Sequence, residues 1–208
     1  DKYNHTNILE KREVDAVMFT PIRWLVNNVA RQSLFAIGDA CWNCHAGVGA
    51  FPLQCAVMYK IPLMIWGESA AEAGNKASYD DKLEFDETYF DRVSSKAKID
   101  DLLCDDLTEQ DMHPYRIPPR AELEAINFRG IFLGEFIFWD GERQTEFLIK
   151  EYDWRETSVG RSYKGNKSAK CKMRGVHEQH KYLKHGLGSA TDHEAREVRV
   201  GLSTGAAA

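Results

Sequence analysis

The sequence predicts an α/β fold built around a parallel sheet. Two short, mostly apolar runs, residues 14–19 and 61–66, have the length and side-chain types of β-strands. Between them, residues 22–37 and 48–60 carry apolar side chains in the numbers and spacing expected of helices. Strand, helix, helix and strand in this order favour parallel strands that are joined by helical crossovers.

Glycine and proline mark the ends of these predicted elements. Gly38 follows the first helix as a C-terminal stop, and Pro52 falls in the first turn of the second helix, where proline is tolerated. The second apolar run is bounded by Pro62 and Gly67, as a central parallel strand would be. Because ligands of parallel sheets bind beyond the carboxyl ends of the strands, we expect a site that includes residues 20–21 and 66–69.

Charge is distributed unevenly along the rest of the chain. Residues 72–111 carry 13 acidic and 5 basic side chains, and residues 155–199 carry 11 basic and 5 acidic ones. We therefore expect three parts: the α/β part at 1–71, an acidic insertion or lid at 72–120, and a helical, basic C-terminal region at 121–208.

The overall composition restricts the classes of partner. A net charge of −5 and a pI of about 5.8 argue against nucleic acid as a partner, whereas the basic C-terminal third fits a site for a small anionic ligand. A plain solvated surface is the alternative interpretation of that third. Apolar runs are too short to span a bilayer and the start lacks a signal sequence, so we expect a cytoplasmic protein without a membrane span.

The most informative motif is Cys41-x-x-Cys44. In a reducing compartment such a pair is more often a metal or redox site than a structural disulfide. Cys171 lies in a segment rich in Lys and Arg, which favours the thiolate, and it is a candidate for a third ligand. Three thiolates suit an iron–sulfur cluster, or zinc with His45 as fourth ligand, and a thiol pair without metal is the alternative.

Several longer motifs follow one another along the chain. They are Gly38–Gly47 (GDACWNCHAG), 61–68 (IPLMIWGE), 138–141 (FWDG), 150–154 (KEYDW) and the segment 175–193. In order and spacing this set resembles the N-acetyl sugar amidotransferases of bacterial surface-polysaccharide biosynthesis. These are ATP pyrophosphatases of the PP-loop class, so the resemblance implies a Rossmann-like, adenine nucleotide alpha hydrolase-like domain with a helical C-terminal extension.

The resemblance also implies a reaction in lipopolysaccharide biosynthesis. Such enzymes convert an acetamido group of a nucleotide sugar into an acetamidino group, using ATP with Mg²⁺. ATP adenylylates the amide oxygen, ammonia attacks the carbon, and AMP leaves. An amide oxygen leaves poorly until it is part of a phosphate ester, and basic groups must stabilise the charge that grows on phosphate. In this family a separate glutaminase subunit and a cyclase-like subunit supply the ammonia.

Roles for individual residues follow from the resemblance. Trp66, Gly67 and Glu68 would line the ATP or acceptor pocket, with Glu68 in a catalytic role. Asp192, also in a catalytic role, and Arg196, in cofactor binding, would face the sugar nucleotide.

The metal ligands are implied in the same way. Related PP-loop enzymes that thiolate tRNA place a Cys-x-x-Cys pair and one distant cysteine around a metal cluster. Cys41, Cys44 and Cys171 match that arrangement in order, as ligands of zinc or of an iron–sulfur cluster.

The chain departs from the family pattern in several places. The glycine-serine loop that grips the pyrophosphate is expected upstream of Asp1, Ser189 stands where an arginine is expected, and Lys170 stands where an acid is expected. We therefore expect this to be the C-terminal part of the enzyme, or a degenerate relative, and inactive by itself. One alternative is a PP-loop sulfurtransferase that acts on tRNA. The other is a non-catalytic module in which the cysteine pair only stabilises the fold or a partner interface.

Overall fold

The computed structural model describes residues 2–67, 84–85, 97–138, 141–155 and 173–188, with single positions between 191 and 204. In the described part the helices are α1 (Lys2–Arg12), α2 (Arg23–Ile37), α3 (Trp42–Tyr59), α4 (Glu109–Met112), α5 (Arg120–Ala125), α6 (Gly141–Tyr152) and α7 (Arg174–His185), and the strands are β1 (Leu63–Trp66), β2 (Glu84–Phe85) and β3 (Arg129–Phe132). The chain divides into two compact units, residues 17–139 and residues 1–16 with 140–208.

A small mixed sheet lies in the unit 17–139. β1 and β3 pair in parallel, with Leu63 beside Arg129 and Trp66 beside Phe132, and β2 pairs antiparallel with β3. The predicted α/β class is therefore confirmed at the level of a mostly helical chain with a parallel strand pair. Among the described strands the order is β1-β3-β2, which places β1 at an edge rather than in the predicted central position.

The sheet packs on α3 and α5 through one of its faces. Leu53 of α3, Leu123 of α5 and Phe132 of β3 form a buried cluster, and Met64 and Trp66 of β1 pack against it. Since side chains alternate along a strand, the other residues of β1 point to the opposite face and are exposed. The alternation fixes which side of β1 faces the helices.

The predicted strand at 14–19 is wrong. Residues 14–20 have neither strand nor helix structure, and Val17 and Met18 are exposed. A strand needs a neighbour for its backbone hydrogen bonds, and an apolar run alone does not supply one. Phe19 instead packs its ring on Phe51 of α3, with the ring centroids 5.2 Å apart.

Helix boundaries decide where the cysteine pair lies. The predicted first helix is confirmed as α2, and Gly38 ends it with a left-handed φ of 65°. α3 begins at Trp42, earlier than predicted, so Pro52 is inside the helix rather than in its first turn. At Pro52 the helix lacks one backbone donor, a defect that the burial of α3 against the rest of its unit offsets. None of the helices described here is long and apolar enough to cross a lipid bilayer.

In the other unit, α1 is attached to the end of α6 by side-chain amides. Asn4 is 1% exposed, its Nδ2 donates to the Arg155 carbonyl at 2.8 Å, and its Oδ1 accepts from the Arg155 N–H at 2.8 Å. Asn7 Nδ2 donates to the Tyr152 carbonyl, and the Tyr3 hydroxyl donates to Asp153. These bonds hold α1 beside the end of α6.

Asn4→Ala is expected to release α1 from this unit. The change leaves the N–H and the carbonyl of Arg155 without their partner, and each buried unpaired group costs about 1–3 kcal/mol. Hydrogen exchange of residues 2–12 should accelerate at least about fivefold, since about 1 kcal/mol of local stability corresponds to that factor. Asn27→Ala, at an exposed position on α2, is the control, and unchanged exchange in Asn4→Ala would show that the amide pair is dispensable.

Candidate metal centre

The Cys-x-x-Cys pair occupies the N-terminal end of α3. Cys41 is the residue before the helix, and Cys44 lies in its first turn. The N–H groups of Cys44 and His45 donate to the Cys41 carbonyl at 3.0 and 3.2 Å. This turn places both cysteines, as thiols, at one helix end, where the positive end of the helix dipole stabilises anions such as thiolates.

Asp39 joins the two cysteines in the same turn. Its Oδ1 accepts the Cys41 N–H at 2.8 Å, and its Oδ2 lies 4.0 Å from Nδ1 of His45. A carboxylate oxygen of Asp39 and the sulfur of Cys41 are within 4.8 Å of each other, a spacing that lets one metal ion contact both. The sequence prediction missed Asp39, although Asp two residues before a helix-starting position commonly folds back on the backbone in this way.

The donor chemistry of this turn fits zinc or iron. Thiolate sulfur and imidazole nitrogen are ligands of zinc and of iron, and a carboxylate can complete a zinc site. Mg²⁺ and Ca²⁺ prefer all-oxygen sites, so the cysteines argue against them. The structure therefore brings Cys41 and Asp39 together as side chains that could hold an ion, and a ligand set that also includes Cys44 and Cys171 stays a prediction.

A tyrosine from a distant part of the chain packs beside this turn. Tyr115 lies in a short 3₁₀ turn (His113–Tyr115) and is 4% exposed. Its ring centroid is 5.8 Å from that of Trp42 and 6.3 Å from that of Phe19. Burial, and then the charge of the Cys44 thiolate, raise the pKa of the Tyr115 hydroxyl above its ordinary value.

Two of the predicted pocket residues lie at the carboxyl end of β1. Trp66 is half-buried against the cluster that joins the sheet to α3, and Gly67 follows it at an exposed position. The remaining predicted site residues lie outside the described residues: Glu68, Cys171, Asp192 and Arg196. The third thiolate and the sugar-nucleotide contacts therefore stay predictions.

Comparison with protein-family models and with curated protein sequences finds no match for this chain. The resemblance to the N-acetyl sugar amidotransferases accordingly rests on the motifs of the chain itself.

Proposed function

We propose that this chain is part of an ATP-dependent N-acetyl sugar amidotransferase in which Cys41 and Cys44 hold a metal ion beside the acceptor pocket. One observation carries the proposal: the cysteine pair begins a helix that leads directly into a strand of a parallel pair. That is the arrangement expected if the chain has the Rossmann-like PP-loop fold that its motifs imply.

The connection between α3 and β1 supports a single site that contains both the cysteine pair and the carboxyl end of β1. Only three residues, 60–62, separate the helix from the strand, and α3 packs on the sheet, so in the proposal the two run in opposite directions. α3 has 18 residues and is roughly 27 Å long, whereas the four residues of β1 span roughly 13 Å. In this arrangement the N-terminal end of α3 would extend toward the side of the sheet at which β1 ends.

In the proposal, the cysteine pair and the end of β1 belong to the same side of the sheet. Trp66 and Gly67 end β1, and parallel sheets bind ligands at that edge. In the proposal, Glu68 continues this edge, and Asp192 and Arg196 from the basic C-terminal region face the sugar nucleotide. Their basic surroundings would balance the charge of the nucleotide phosphates.

A metal held by Cys41 and Cys44 would act as a Lewis acid next to this pocket, polarising an oxygen of the bound substrate. The chain's own contribution is to fix that position: Asp39 holds the Cys41 backbone, and the first turn of α3 holds Cys44. Cys171 would complete the thiolate set. Zinc and an iron–sulfur cluster both remain compatible with these donors.

The test is nucleotide turnover by the complete encoded polypeptide. We expect AMP and pyrophosphate to form when it is incubated with Mg²⁺, ATP, an acetamido nucleotide sugar and ammonium, with one AMP released for each amidine formed. Cys44→Ala should lower this turnover by more than about tenfold, because loss of a partner outside the metal ligands already costs about 10–100-fold.

Cys104→Ala is the matched control, since Cys104 is exposed and belongs to a separate turn that pairs with Leu107. Absence of AMP with every acetamido nucleotide sugar would contradict the proposal. AMP formation that instead requires tRNA and a sulfur donor would favour the sulfurtransferase alternative.

A further inference from the structure

The Tyr115 hydroxyl is an unsatisfied polar group beside the candidate metal centre. The oxygen is buried and has no hydrogen-bond partner within the described part of the chain. Leaving such a group unpaired costs about 1–3 kcal/mol. A phenylalanine at this position would avoid that cost. We therefore expect the hydroxyl to donate a hydrogen bond to an acceptor in another state of the protein.

The position of Tyr115 is fixed from two sides. Gln54 Nε2 donates to the carbonyls of His113 and Arg116, at 3.0 and 2.7 Å, which holds the backbone on both sides of Tyr115. A side-chain carbon at Gly47 would lie 3.5 Å from the Tyr115 ring, so the ring rests close to the backbone of α3. The hydroxyl therefore cannot move far to find a partner.

Within the part of the chain that the structure describes, Cys44 of α3 carries a sulfur that can turn toward the hydroxyl. Trp42 and Phe19 contribute aromatic rings, which are poor acceptors. Cys44 lies one turn before Gly47 on the face of α3 against which the Tyr115 ring rests, and its sulfur turns about a single side-chain bond. A thiolate is also a better hydrogen-bond acceptor than a thiol.

We propose that the Tyr115 hydroxyl donates a hydrogen bond to the Cys44 sulfur when that sulfur binds a metal ion as a thiolate. Tyr115 is then a positioning residue: it does not bind the metal itself, and it fixes the side-chain rotamer of Cys44, which does. The inference rests on the proposed metal site. Hydrogen bonds of this kind orient ligands and typically contribute about 10–100-fold to metal affinity.

Tyr115→Phe tests the inference, because it removes the hydroxyl and keeps the ring. The full chain is titrated with Co²⁺, whose thiolate-to-metal absorption reports the sulfur ligands directly. We expect binding to weaken about tenfold and the absorption band to shift. The unfolding midpoint of the metal-free variant should not fall, because the change removes an unsatisfied buried group.

Tyr59→Phe is the matched control, since Tyr59 lies on α3, the helix that carries Cys44, and is exposed. If the wild-type chain binds no Co²⁺, the metal site fails and the inference fails with it. If the wild type binds but Tyr115→Phe binds equally and with the same spectrum, only the inference is overturned. A lower unfolding midpoint in the metal-free variant would also overturn it, because the hydroxyl would then have a structural partner.

Discussion

Trp42→Ala is expected to lower the free energy of unfolding of its unit by about 3–5 kcal/mol, the range found when a large aromatic side chain is truncated in a core. Trp42 is 1% exposed and is the largest fully buried side chain of the described part. It lies between the two cysteines, so its burial also anchors the first turn of α3. Urea denaturation followed by far-ultraviolet circular dichroism measures the change.

The cluster around Trp42 explains the size of this effect. The indole belongs to one buried cluster with side chains from α2, from α3 and from the segment 99–115, namely Leu25, Val29, Ala46, Leu102, Leu107, Met112 and Tyr115. The indole Nε1 also donates to the Ala97 carbonyl at 3.3 Å. Truncation would open a cavity that elements on three sides cannot easily fill.

Two matched variants separate packing from hydrogen bonding. Trp42→Phe keeps most of the ring and loses the bond to Ala97, so it should cost clearly less than Trp42→Ala. Trp24→Ala, at a half-exposed position on α2, should change stability little. If Trp42→Ala were no worse than Trp24→Ala, the cluster described here would not be the core of this unit.

The sequence predicted correctly those helix and strand boundaries that depend on neighbouring residues in the chain. Gly38 identified the end of α2 correctly, because glycine adopts the left-handed conformation after a helix without steric cost. The apolar run between Pro62 and Gly67 predicted β1. The run at 14–19 looked similar but forms no strand, because strand formation also depends on a partner that the local sequence does not specify.

The candidate site was predictable to a smaller extent. Cys41 and Cys44 were found from their spacing, which is a local property. Asp39 was missed because its role depends on a hydrogen bond to the Cys41 backbone rather than on a motif. Tyr115 was missed because it comes from a distant segment, and only the packing of that segment on α3 brings its ring beside the cysteine turn.

Cys44→Ser should lower the affinity of the chain for Zn²⁺ by more than about a hundredfold. Serine stays protonated near neutral pH and binds zinc poorly, whereas a cysteine in the first turn of a helix readily forms a thiolate. Losing a partner of a ligand already costs about 10–100-fold, and losing the ligand itself should cost more. Competition with a chromophoric chelator gives the dissociation constant, and elemental analysis gives the zinc content.

Variants at other positions define the ligand set. Cys55→Ser is the closest control: Cys55 lies on the same helix, and burial raises the pKa of its thiol, which keeps it protonated and a poor ligand. Asp39→Asn and Cys171→Ser should each weaken zinc binding if both side chains complete the site with Cys41. If Cys44→Ser and Cys55→Ser bound zinc equally well, the cysteine turn would not be a metal centre, and the amidotransferase proposal would keep only its strand-end pocket.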